Sequence, residues 1–292
     1  MRQSHIILLI SCMLASVGCR DVMLPAYDQQ IVVEGWIENG RPPIVILTTS
    51  VSVDGTPRDS TDLKEHIIRW GKVTVSDGEK EVVLAGKKDD RYFPPYIYTT
   101  AKIKGEVGKT YHITVEYSGR TVTSSTTIPS PVSLEYIRAE KVSDSLSPDP
   151  DKYILIGGLR DNKETKDYYK LFTKVHGEDS SFVSSFLGLT DDAVITADIE
   201  EIPINKGRML NGKKEIHFNP GDTVSIRFCS LDKTSWEYWN DFEEIESLTS
   251  NPFFPINTDI RSNINGGLGY WNGYGSAYYT IELTESGEVR EL

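Results

Sequence analysis

Short apolar runs alternating with polar positions recur from Ile31 onward, cut by clusters of Gly, Pro, Asn and Asp. Residues 31–37, IVVEGWI, are β-branched and aromatic and predict a first strand. Glu38, Asn39 and Gly40 supply a turn, because Asn and Gly tolerate positive φ, and residues 44–49 return as the second arm of a hairpin. A polar loop over 50–64 follows, then strands at 73–76 and 82–84 around Asp77 and Gly78. A charged connection over 87–95 ends in Tyr92, Phe93, Pro94, Pro95 and Tyr96. Tyr111, Ile113, Val115 and Tyr117 alternate with polar residues, so one face of that strand is buried, and a turn at Ser118 and Gly119 leads into 121–127. Short antiparallel strands at this density predict an immunoglobulin-like β-sandwich over 31–128.

Ile128, Pro129, Ser130 and Pro131 mark a boundary, since prolines hold the chain extended and interrupt hydrogen-bonded ladders. A second antiparallel β domain is expected over 132–292, with strands at 132–139, 153–157, 168–175, 215–218, 223–229 and 277–283. In 223–229, Val224, Ile226 and Phe228 share one face opposite Ser225, Arg227 and Cys229. The stretch 179–201 reads either as a helical turn around Phe182, Val183, Phe186 and Leu187 or as pieces of strand. One amphipathic helix is predicted over 234–248. Thr234 and Glu237 form a capping box, while Trp236, Trp239, Phe242, Ile245 and Leu248 recur near helical spacing. Such a helix seals a sheet or the open end of a barrel.

The N-terminus breaks the pattern. Residues 4–19, SHIILLISCMLASVGC, follow a basic Arg2 with an apolar run, small residues and a cysteine. The run is too brief to span about 30 Å of hydrocarbon with anchoring flanks. It has the form of a signal peptide over 1–18, with a tether over 19–30. Its ending is similar to a bacterial lipoprotein signal, which implies lipidation at Cys19. Cys12, after Leu9, Ile10 and Ser11, is the runner-up: it fits the local box better but leaves a shorter apolar run.

Removal of 1–18 takes away one of 31 basic residues and none of 43 acidic ones, moving the formal charge from −12 to −13. That balance argues against nucleic acid, or an anionic bilayer, as a partner of the protein surface itself. With Cys12 removed and Cys19 acylated, Cys229 stands alone and reads as a small buried hydrophobe.

Residues that would signal catalysis or a cofactor do not assemble into a pattern. His66, His112, His176 and His217 are isolated, which speaks against zinc. Asp144, Asp149 and Asp151, like Asp191, Asp192 and Asp198, lack the spacing of a helical calcium loop. No Gly-x-Ser-x-Gly elbow is present, and the glycine tract 266–275 has no following Lys-Ser/Thr, so no phosphate cradle is expected. No cofactor is therefore expected, and catalysis has no positive support.

Binding has better candidates. A Gly/aromatic loop over 263–275 sets Tyr270, Trp271 and Tyr274 among five glycines. Glycine loses the most entropy on ordering, so this density implies backbone in close approach, or rings that need room. Trp271 reads either as a plug in its own domain or as part of an exposed contact surface. Tyr92, Phe93 and Tyr96 form a second aromatic cluster, on a loop where a scaffold commonly grafts function.

The mature chain as a whole resembles a lipoprotein family of Bacteroidetes bacteria known as domain of unknown function 4249. The resemblance lies in Val32, Val33, Glu34, Gly35 and Trp36 after the tether, in Pro42, Pro43 and the strand through Leu47, and in Val73–Val75 before Asp77 and Gly78. Tyr111 after Gly108, the stretch 117–124 leading into Pro129, and Asn263, Ile264, Asn265, Gly266, Gly269, Tyr270 and Trp271 complete it. It implies a lipid-anchored protein of the cell outer membrane, serving a TonB-dependent receptor as an accessory subunit of nutrient uptake. The expected function is thus non-catalytic binding or assembly at the cell envelope. The rivals are a surface-exposed hydrolase acting on glycan or peptide, and a structural or adhesive module.

Overall fold

The computed structural model describes residues 28–51, 62–142, 152–160, 166–191, 198–210, 213–248 and 260–292. Cys12, Cys19 and the signal stretch lie outside the described residues. The chain is mainly β with one α-helix among the described residues. Ahead of the proline junction come β1 (Ile31–Glu38), β2 (Ile44–Thr49), β3 (Lys72–Ser76), β4 (Glu81–Val83), β5 (Ala85–Lys88), β6 (Tyr96–Thr99), β7 (Thr110–Tyr117) and β8 (Arg120–Thr127). Beyond it lie β9 (Leu134–Lys141), β10 (Tyr153–Arg160), β11 (Tyr168–Val175), β12 (Val183–Asp191) and β13 (Ile199–Ile204). The strands β14 (Arg208–Leu210), β15 (Lys213–Glu215) and β16 (Thr223–Leu231) precede α1 (Lys233–Leu248), and β17 (Leu268–Leu283) and β18 (Val289–Glu291) close the chain.

One long sheet organises the rest, in the order β12-β11-β16-β17-β1-β2-β6-β5, with β18 beside β17. Two smaller sheets, β4-β3-β7-β8 and β13-β10-β9, complete the layers with the hairpin β14-β15. The long sheet is continuous across the Pro129–Pro131 junction because β17 has two sets of neighbours. Its first half pairs in parallel with β1, from Val32↔Leu268 to Glu38↔Tyr274, and its second half pairs antiparallel with β16. The sequence expectation was of antiparallel strands throughout. A parallel pair has no tight turn to announce it and needs a long crossover, here some 230 residues of chain between the partners.

Side-chain parity then divides the packing. Val33, Ile37, Val45 and Leu47 point to one face and bury against Val73, Val75, Ile113 and Val115 of the four-stranded sheet. Farther along the same layer, Leu171, Val224, Ile226 and Ile281 bury against Leu155, Leu159, Ile202 and Ile204 of the three-stranded sheet. On the opposite face, Tyr168, Phe172, Cys229, Leu231 and Tyr274 pack with Trp239 of α1. The helix covers a sheet face and does not close a barrel. Its cap is Asp232, whose carboxylate accepts the Ser235 N–H at 2.7 Å, and not the expected Thr234 box.

The tract 263–275 is no loop beyond Gly267: from Leu268 it is strand. Its glycines serve close approach. A Cβ on Gly275 would sit 2.3 Å from the Pro129 carbonyl oxygen, and one on Gly35 would sit 2.9 Å from the Trp271 ring. The stretch left open at 179–201 contributes two strands, β12 and β13.

Candidate functional site

Where α1 stops covering the outer face of the long sheet, a cleft of about 570 Å³ remains. Period-two geometry builds its floor: while Val33, Gly35 and Ile37 point into the first core, Glu34, Trp36 and Glu38 point to the cleft. Register sets Tyr270 beside Glu34 and Arg227 beside both Phe172 and Tyr278. The loop before β6 brings Tyr92 and Phe93 over one side, and the residues around β12 bring Ser180 and Phe182 over the other. The outer wall is joined by a hydrogen bond from the Ser180 hydroxyl to the Arg91 carbonyl oxygen at 3.2 Å.

Two buried carboxylates on β1 have opposite surroundings. Burial pushes the Glu34 carboxyl above its ordinary range, against the hydrogen bond donated by the Tyr270 hydroxyl at 3.0 Å. Burial presses Glu38 the same way, but the Arg227 guanidinium at 2.8 Å and the Tyr278 hydroxyl outweigh it and hold Glu38 below that range. Burial opposes the charge on Arg227, and Glu38 more than restores it, so the guanidinium stays protonated. That guanidinium lies 4.0 Å from the Phe172 ring centre and 5.2 Å from that of Phe182, a packing that suits its weakly hydrated plane. Burial also pushes the neighbouring Cys229 thiol up to about 12, leaving it a neutral core group and a poor nucleophile. Among the described residues no three His, Cys, Asp or Glu side chains come together as metal ligands.

With this geometry in place, comparison with protein families matches residues 21–280 to the family described as "Domain of unknown function (DUF4249)". The chain belongs to that family. No curated protein matches it.

The two stretches of this DUF4249 chain that carry the family resemblance most densely, 32–36 and 263–271, are neighbours in space. They meet in the parallel β1–β17 ladder, which starts at Val32↔Leu268 and in which Gly35 faces Trp271 and Glu34 faces Tyr270. Asn263 locks the ladder by accepting the Trp271 N–H at 2.8 Å and donating to its carbonyl oxygen at 2.9 Å.

Four of the aromatic residues singled out from sequence, Tyr92, Phe93, Tyr270 and Tyr274, line this cleft. Trp271 does not: it is fully buried in the first core, donating its indole N–H to the Tyr111 carbonyl oxygen at 3.0 Å. Tyr96 packs on the same core and donates to the Arg69 carbonyl oxygen at 3.2 Å. The residues that sequence reasoning passed over are Glu34, Trp36, Glu38, Phe172 and Arg227. A signal for them existed in the first strand, where charged and aromatic residues occupy alternate positions of an otherwise apolar run. For Arg227 the parity of 223–229 was legible, but not that its polar face would be covered.

Proposed function

We propose that this chain is a non-catalytic binding subunit of the cell envelope, anchored by lipid at Cys19 in the outer membrane, that presents a ligand cleft in the service of a TonB-dependent receptor. The observation that carries the binding part is the convergence of Tyr92, Phe93, Tyr270 and Tyr274, from loop and strand segments far apart in sequence, on one concave site. A cleft of about 570 Å³ with aromatic walls and a few fixed polar groups has the character of a small-molecule site. The lipoprotein-like leader supports the anchor, and the family resemblance supports the receptor. We read the packing of two sheets around the first core as an immunoglobulin-like sandwich, extended at one edge by β17.

The hydrolase reading would draw on Glu34 and Glu38, whose surroundings push their proton affinities apart as an acid–base pair requires. Their hydrogen bonds do not serve it, on a strand that sets their backbones about 13 Å apart. Each is turned to its own partner, Glu34 to Tyr270 and Glu38 to Arg227 and Tyr278.

Purification of the lipoprotein from detergent-solubilised membranes of its host tests the proposal. Recovery with a large β-barrel companion, and loss of membrane association in Cys19→Ala, are the expected results. A monomer without lipid or companion overturns the envelope assignment.

A further inference from the structure

The charges around the cleft are not balanced. Arg41, Arg91, Lys174 and Arg227 line it together with only two carboxylates, Glu34 and Glu38. Arg227 is matched by Glu38, and Arg91 by Asp89 at 2.6 Å. Arg41 and Lys174 have no carboxylate within ion-pair distance among the described residues. Lys174 donates to the Ser180 carbonyl oxygen at 3.3 Å, and Arg41 lies over the Tyr278 ring at 4.1 Å. Arg227, only 7% exposed, keeps its Nε–H without a hydrogen-bond partner among the described residues. In a chain of formal charge −12, this local surplus of cation runs against the overall balance.

The walls narrow the ligand further. Trp36 and Tyr92 stand with ring centres 6.0 Å apart and planes tilted by 49°, and Phe93 at the mouth is 63% exposed. The hydroxyls of Tyr270 and Tyr278 are committed to Glu34 and Glu38, and that of Tyr274 accepts from Trp239 and Asn272. The site therefore offers ring surface on which these three tyrosine hydroxyls are already engaged, beside the cationic donors of Arg41, Lys174 and Arg227. That suits a flat apolar ring better than a sugar, each of whose hydroxyls needs a partner once out of water.

We propose that the cleft takes a ring-bearing organic anion, its apolar ring lodged among Trp36, Tyr92 and Phe93 and its carboxylate directed to Arg41, Lys174 and Arg227. This rests on the reading of the cleft as a ligand site and adds the chemical class of the ligand. Charge-assisted hydrogen bonds to a carboxylate supply the selectivity, and a matched neutral compound forgoes them.

Calorimetric titration of the purified chain with 2-naphthoate, 2-naphthamide and a neutral disaccharide tests it. Naphthoate is expected to bind about tenfold or more tightly than the amide, the equivalent of one charge-assisted bond. The double variant Arg41→Gln/Lys174→Gln, both at the rim and outside the cores, should bring naphthoate down to the level of the amide. Equal binding of acid and amide, an unchanged double variant, or tighter binding of the disaccharide overturns the anion assignment. In each of these cases, binding that is lost in Trp36→Ala leaves the cleft standing as a ligand site. Failure of all three probes to bind overturns both readings.

Discussion

Arg227 and Glu38, 189 residues apart in sequence, meet at 2.8 Å across the long sheet with both side chains buried. Each answers the desolvation of the other, with the rings of Phe172 and Phe182 packed on the guanidinium. Removing one partner strands a charge in a low-dielectric place, which costs about 3–5 kcal/mol, whereas replacing both with apolar groups of like volume is often neutral. Glu38→Gln should therefore lower stability by about that amount, and Glu38→Leu/Arg227→Met should recover most of it. Urea unfolding of the three proteins measures this; a double variant as unstable as the single one would mean that the pair holds the sheet together through its geometry and not its charge balance.

Trp271 and Phe93, both candidates for ligand contact by sequence, stand in opposite situations. Trp271 is enclosed, with an indole hydrogen bond to Tyr111, so Trp271→Ala leaves a cavity and an unmet carbonyl and should cost about 3–5 kcal/mol. Phe93→Ala, at an exposed mouth position, should stay within about 0.5 kcal/mol. A melting temperature unmoved by Trp271→Ala would refute its placement.

How much of this was legible follows the range of the interactions. Strands that alternate against one core, such as β7 with Tyr111, Ile113 and Val115, were readable because the period-two pattern is local. So were the helix and the burial of Cys229. The strand β17 was not read before Ala277, because its glycines imitate a loop. Their reason is nonlocal: Gly275 lies under the Pro129 carbonyl and Gly35 under Trp271, neighbours that only the finished fold supplies. The cleft was half legible for the same cause. Aromatic clusters near residues 92 and 270 announce themselves by composition, but their meeting depends on a parallel ladder with no turn of its own, and Arg227 becomes a site residue only when β17 sets Tyr278 beside it.

Asp232 shows the same limit on a smaller scale. Sequence favoured Thr234 because of Glu237 three residues on, yet the helix begins one residue earlier and the stronger acceptor takes the Ser235 N–H. Asp232→Ala should cost about 1 kcal/mol and Thr234→Ala about 0.5 kcal/mol or less, measured by chemical denaturation. The reverse order would restore the Thr234 cap.

The paired carboxylates of β1 give a pH signature whose sign is fixed. Glu34 has its proton affinity raised in the fold, so its contribution to stability is fully present below its ordinary value of 4.5 and is lost as the pH rises through the folded value. Glu38 is the reverse: its affinity is lowered, and its contribution is present above 4.5 and lost as the pH falls through the folded value. Glu34→Gln removes a charge that burial penalises and keeps an oxygen to accept from Tyr270. It should therefore melt higher than the parent at pH 7, with the advantage gone by pH 4. Glu38→Gln should melt lower at pH 7, with the deficit shrinking as the pH drops below 4.5. Scanning calorimetry of both variants at pH 7 and pH 4 decides the matter. Differences that keep the same size at the two pH values would show that the two side chains act by shape and not by charge, and the opposed environments assigned to Tyr270 and Arg227 would have to be abandoned.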